Sequence, residues 1–217
     1  MCFSAGASFG ASALLGGIGI VAITKAKTNP QRFFASIPLF FSIQQFSEGM
    51  LWLSIKKPVL ADWQPFFTYT FLVFAMVVWP LLIPLTIRFL EKNTNRKKTL
   101  NVLVTIGGLV SATVGCILLI YPVQVMPMDH HLHYSFDFPR QAENLIWFFT
   151  ILYMLATIAA PFVSGIKQMK WLGVCFFASY SFAVIYYNGF VVSVWCYFAA
   201  LLSFVVLWII AGLSKST

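Results

Sequence analysis

Seven apolar stretches, at about 4–24, 33–55, 64–90, 99–121, 143–164, 171–188 and 190–213, constrain this chain more than any other feature. Each is close to the ~17–25 residues that carry a helix across the hydrocarbon core of a bilayer. Backbone in lipid must satisfy its own polar groups, so such stretches become helices. The connections are short and polar, apart from an outer loop at 122–142, and leave no space for a soluble domain. The expectation is a single transmembrane domain over 1–217. Its fold class is that of an all-α integral membrane protein, a seven-transmembrane-helix bundle.

Composition agrees. Of 217 residues, 60% are hydrophobic and 9% charged, against about a quarter charged in an ordinary soluble domain. Membrane lipids are the expected partners. The net charge of +8 reports loop topology rather than nucleic-acid binding. Lys25, Lys27 and Arg32 follow the first stretch, and Arg88, Lys92, Arg96, Lys97 and Lys98 follow the third. Lys167 and Lys170 follow the fifth and Lys215 the last, so these cations fall on alternate connections. The other connections hold only Lys56, Lys57 and Arg140, with Asp62, Asp129, Asp137 and Glu143. The positive-inside rule then gives an N-out/C-in bundle. Because Lys25 and Lys27 follow the first stretch rather than precede it, that stretch is expected to be a retained span and not a signal peptide.

Ser8, Ser12 and Gly16 recur every four residues, as do Gly107, Ser111 and Gly115. Such stripes let helix backbones approach closely in lipid, and helix packing is their expected role. Pro80, Pro84 and Pro161 should kink or break their spans.

Glu48 is the acidic residue placed deepest in a span, in the run Gln44-Gln45-Phe46-Ser47-Glu48-Gly49-Met50-Leu51-Trp52. At ~1.5 Å per residue it lies roughly 22 Å from Phe33 and roughly 10 Å from Ile55, in the outer half of the membrane. Gln44, Glu48 and Trp52 share one helix face, with Gln45 beside them. A charge at the centre of a span costs ~2.5–3.5 kcal/mol on insertion scales, so intramembrane acids are functional by default. Three roles fit Glu48: a proton or cation site, a metal ligand or general base, and a hydrogen-bonded strut.

All three histidines fall in the outer segment Met128-Asp129-His130-His131-Leu132-His133. His131 and His133 share a side of an extended segment, which suits Zn or Cu ligation with Asp129 and Asp137 as further oxygen donors, and Glu48 with Cys2 or Cys196 extends the donor set. The cysteines also fit a Cys2–Cys196 disulfide, or simple burial as small hydrophobes. Trp52, Trp63, Tyr121, Tyr134, Trp147, Tyr186, Tyr187 and Trp195 form an aromatic outer rim. Asn188-Gly189 reads as the tight turn between the last two spans.

The opening Met1-Cys2-Phe3-Ser4-Ala5-Gly6-Ala7-Ser8-Phe9, the run Gln44–Gly49 with Trp52-Leu53, and Ser193-Val194-Trp195-Cys196 resemble an uncharacterised family of bacterial multi-pass membrane proteins whose chains begin Met-Cys-Phe-Ser. The commonest form of that family carries Thr where Gly6 stands here. The resemblance implies about seven spans and the bacterial inner (plasma) membrane, and supplies no activity. Other seven-span families fit less well. The last span lacks the lysine a retinal protein needs, and no histidine follows His133, as ceramidase-like zinc hydrolases require. Pro30-Gln31 is only a faint echo of the proline-glutamine motif of three-plus-one-plus-three transporters. Phosphate-loop and zincin motifs do not occur.

The sequence thus points to an outer polar pocket that binds a small ligand or metal ion, as in a transporter or sensor component. Gln44, Gln45, Glu48, Trp52, Tyr187 and Trp195 are its expected ligand-binding residues. His131, His133, Glu48, Cys2 and Cys196 are its expected metal ligands. The alternative is an intramembrane enzyme in which Glu48 is general base toward a lipid or isoprenoid.

Overall fold

The computed structural model describes residues 4–128, 131–137 and 143–215. The chain is nearly all helix: α1 (Ala5–Lys25), α2 (Asn29–Ala35), α3 (Ile37–Lys56), α4 (Gln64–Leu72), α5 (Trp79–Leu90), α6 (Thr94–Ile120), α7 (Glu143–Met154), α8 (Ala160–Val163), α9 (Met169–Tyr186), α10 (Val191–Leu201) and α11 (Ser203–Lys215). Among the described residues, five helical stretches are long and apolar enough to cross a membrane: Ala5–Lys25, Pro58–Leu90, Thr94–Ile120, Leu145–Val163 and Met169–Tyr186. The second and last of the seven expected spans fall outside that set for different reasons. Helix α3 has the length, with 20 residues, but carries Gln44, Gln45, Ser47 and Glu48. The last stretch is divided at Leu202 into helices of 11 and 13 residues.

Two spans contain a widened π-helical turn, at Val73–Val78 and Leu155–Ala159. Each precedes a proline, Pro80 and Pro161. A proline ring has no N–H and crowds the carbonyl four residues back, here Met76 and Thr157, and one extra residue in the turn relieves that crowding. Neighbouring side chains satisfy carbonyls in the first widened turn. Tyr153 Oη donates to the Ala75 carbonyl at 2.8 Å, and Ser111 Oγ donates to the Val77 carbonyl at 2.6 Å.

The small-residue stripes pack as expected. Ser12 Oγ donates to the Ser42 carbonyl and Ser42 Oγ donates to the Ser12 carbonyl, each at 2.8 Å, joining α1 to α3 twice. Along the same seam, Gly19 lies against Leu39 and Gly49 against the Phe9 ring. In the second stripe Gly107 lies directly on the Pro80 carbonyl. That carbonyl cannot receive the usual hydrogen bond from four residues on, because the residue there is Pro84.

The expected outer loop is an antiparallel β-hairpin, with β1 (Val123–Met128) paired to β2 (His131–Phe136) and Val125 opposite Tyr134. Val125 and Leu132 bury against Leu51 and Trp52 at the C-terminal end of α3. The Tyr134 ring stacks on Phe71 of α4 at 5.4 Å. The hairpin thus closes the end of the bundle at which α1 begins, α3 ends and α10 begins.

Candidate functional site

The candidate site lies about one helical turn below the hairpin, where α3 faces α1 and α10. Glu48 is fully buried. Ser193 Oγ donates to its Oε1 at 2.7 Å, and Ser8 Oγ donates to its Oε2 at 3.4 Å. Ser8 reaches it because the α1 stripe that allows close packing also turns this hydroxyl toward α3. Ser193 reaches it because the Asn188–Phe190 3₁₀ turn brings the chain straight back down beside α3. Both serines are completely buried.

One turn deeper on the same face of α3, the Gln44 amide bridges two other elements. Its Nε2 donates to Cys196 Sγ at 2.9 Å, and its Oε1 accepts from Trp79 Nε1 at 2.8 Å. The Trp79 ring stacks on Phe41 with centroids 3.9 Å apart. The pairs form a ladder. Positions 44 and 48 of α3 meet positions 196 and 193 of α10, as antiparallel helices with i, i+4 and i, i+3 spacing should.

Above the ladder is a cavity of about 110 Å³, lined by Leu132, Tyr134, Gly189, Phe190, Val191, Val192 and Ser193. Its walls are the hairpin and the turn into α10, and Ser193 is its link to Glu48. A second void of about 10 Å³ lies among Trp79, Tyr153, Trp195 and Cys196. It has room for at most about one water.

The expected site residues divide among these regions. Gln44 and Glu48 form the ladder. Gln45 is also fully buried, and neither its Oε1 nor its Nε2 has a hydrogen-bond partner among the described residues. Trp52 packs under the hairpin with Leu51, Val125 and Leu132, and Lys56 Nζ lies 5.4 Å over its ring. Tyr187 packs edge-on against His131 at 5.2 Å. Trp195 turns away from Glu48, donating from Nε1 to Ser179 Oγ at 3.2 Å and meeting the Tyr153 and Tyr180 rings edge-on.

The expected metal ligands are not drawn to one centre. Among the described residues no three His, Cys, Asp or Glu side chains are grouped to hold a metal ion. His131 and His133 do share a side of β2, but the aromatic turn covers that side. The His131 ring stacks on Phe190 at 4.7 Å, and His133 Nδ1 donates to the Gly189 carbonyl at 3.1 Å. Cys196 is buried deeper, on Gln44. Cys2, and with it the Cys2–Cys196 disulfide, lies outside the described residues.

The structure also uses residues to which the sequence drew no attention. At the end opposite the hairpin, Glu91 is buried and accepts from the backbone N–H groups of Gly165 at 2.6 Å, Asn93 at 2.9 Å and Lys92 at 3.0 Å. Burial alone would raise its pKa. The three N–H donors and the charge of Arg96 outweigh burial, so its carboxyl is held below the usual value of 4.5. Surrounded by Arg88, Lys92, Arg96, Lys97 and Lys98, Glu91 reads in sequence as one charge in a solvated connection. The signal that could have marked it is the Asn93-Thr94 helix start two residues on, where orphan N–H groups collect. Ser8 stands out only as a packing residue, Ser193 only as part of a family-like segment and Trp79 not at all, since ordinary packing explains such residues equally well.

No curated protein and no solved structure matches the chain. A family profile does match, over residues 1–216, and the chain accordingly belongs to the Family of unknown function (DUF6629).

Proposed function

We propose that this is a multi-pass protein of the bacterial inner membrane, with seven spans, the N-terminus outside and the C-terminus inside, that binds a small ion or small polar ligand at Glu48. It would act as a transporter or sensor component. The observation that carries this is the double position of Ser193: it lines the hairpin cavity and donates a 2.7 Å hydrogen bond to the buried carboxylate. A ligand entering from the hairpin side meets Ser193 first and Glu48 next. Cavity size favours an ion or a few waters. At about 110 Å³ it is well below the ~300–1,000 Å³ of pockets for drug-sized organic molecules. The same size argues against a lipid or isoprenoid substrate. Hydroxyl and carboxylate oxygens suit hard cations and protons better than soft metals.

Thermal unfolding of detergent-purified protein tests this, with wild type beside Glu48→Gln, across Na⁺, K⁺, NH₄⁺, Mg²⁺ and Zn²⁺ and across pH. A ligand of the native site raises the midpoint with concentration. The expected result is a response to one ion, or to pH, in the wild type that Glu48→Gln lacks. Identical responses throughout would overturn the proposal.

A further inference from the structure

We infer that the ion at Glu48 is a proton, delivered through water in the hairpin cavity and the Ser193 hydroxyl, with Gln45 as a second polar group of the same site. This rests on the binding site proposed at Glu48 and names its occupant.

Two observations carry it. The first is the order of contacts. Ser193 both lines the cavity and bonds to Glu48, and a hydroxyl both donates and accepts. In the transfer step, a protonated water in the cavity gives a proton to Ser193 Oγ. The Ser193 O–H bond already directed at Glu48 breaks, and a new O–H bond forms on Oε1. Ser193 ends as a neutral hydroxyl, Glu48 as a neutral acid, and the cavity holds a neutral water. Charge and atoms balance with no further reactant. The cavity has room for several waters.

The second observation is Gln45. Its amide is fully buried in a segment that crosses apolar surroundings, and both its polar atoms lack a partner among the described residues. It precedes Glu48 by three residues, which puts the two side chains on neighbouring positions of α3. Burying an unbonded amide costs roughly 2–7 kcal/mol, depending on the reference. A bare cation could satisfy only the Gln45 carbonyl oxygen. Water, which donates and accepts, satisfies both ends of the amide and can bridge to Glu48.

The other titratable groups facing this region are Cys196 on α10, one turn below Ser193, and Tyr134 in the cavity wall. His131 and His133 rest their rings on Phe190 of the same wall. Lys56 lies over Trp52 at the outer end of α3.

Infrared difference spectroscopy of the full chain in liposomes tests the inference. A pH titration should show the C=O stretch of a protonated carboxylic acid that grows on acidification and is absent from Glu48→Gln. Gln45→Leu, which removes the amide at similar volume, should move that band. In D₂O, Ser193→Ala should slow its hydrogen–deuterium shift by roughly tenfold or more, while Ser193→Thr, which restores the hydroxyl, should keep it fast. Absence of any Glu48-dependent band would overturn the proton assignment; an ion response lost in Glu48→Gln would then still uphold the binding site. A Glu48 band indifferent to both Gln45→Leu and Ser193→Ala would overturn the relay.

Discussion

The hydroxyl of Tyr153 lies 2.8 Å from the carbonyl oxygen of Ala75, joining the helix that leads into one widened turn to the middle of the other. Both turns exist because of prolines, and both border the aromatic core around Trp79 and Trp195. Interhelical hydrogen bonds in bilayers average about 0.6 kcal/mol, with a maximum near 1.7. This bond should fall near the upper end, because its acceptor belongs to a turn whose own ladder is disturbed. Tyr153→Phe keeps the edge-on contact with Trp195 and removes only the hydroxyl. The expected loss is about 1–2 kcal/mol of stability in reversible unfolding, with faster amide exchange confined to residues 73–78. Unchanged exchange there would show that Tyr153 does not hold the turn.

Gly107 and Gly108 make a matched pair on α6. A Cβ at 107 would run into the Pro80 backbone carbonyl, whereas at 108 it would meet only the Leu81 side chain at an ordinary 3.9 Å. Backbone cannot step aside as a side-chain tip can. Gly107→Ala should therefore cost about 1–3 kcal/mol, in the range of core overpacking. Gly108→Ala should be neutral or stabilise by up to about 1 kcal/mol through helix propensity. Melting temperatures of the two variants in one detergent decide the matter, and equal effects would contradict the close crossing of α5 and α6.

The Gln44 bridge predicts coupling between distant parts of the chain. Trp79→Phe removes the indole donor, Gln44→Leu removes the amide, and each single change leaves a buried polar partner unmatched. A double-mutant cycle should give an interaction energy of about 0.5–1.5 kcal/mol, since residues that share a hydrogen bond are not additive. Additive unfolding free energies would mean that the amide and indole do not meet in the native protein.

These pairs show which parts of the molecule could be read from sequence. Helical stretches, the packing stripes and the deep placement of Glu48 follow from local rules: apolar length, small residues at i, i+4, and the cost of charge in lipid. The second and last stretches were harder. Gln44, Gln45, Ser47 and Glu48 lower the apolarity of α3, and the division at Leu202 has no proline or glycine to announce it. The hairpin was hidden because Val123–Met128 is short, contains Pro127 and alternates only weakly. Expecting His131 and His133 on one side of an extended segment was correct geometry. What covers that side, the Tyr187–Phe190 turn, is a tertiary fact that no spacing along the chain encodes. The partners of Glu48 are hidden for the same reason: Ser8 and Ser193 are separated from it by 40 and 145 residues.

Glu91 gives a prediction with a definite sign in pH. Its carboxylate receives N–H donors from the start of α6 and from Gly165, so it fastens the connection after α5 to the one before α9. Because its folded pKa lies below the ordinary value of 4.5, the charged form is the one that stabilises the fold. That contribution is fully present above the unfolded carboxyl pKa and is lost as pH falls through the lower, folded value. Glu91→Gln replaces an acceptor oxygen with a donor facing other donors, and should cost about 1–3 kcal/mol at neutral pH. The gap between wild type and variant should stay constant from neutral pH down to about 4.5 and shrink below it. Stability measured as a function of pH for both proteins checks this. A gap that widened on acidification would mean that the native state favours the protonated acid, and the three N–H contacts would then be misassigned.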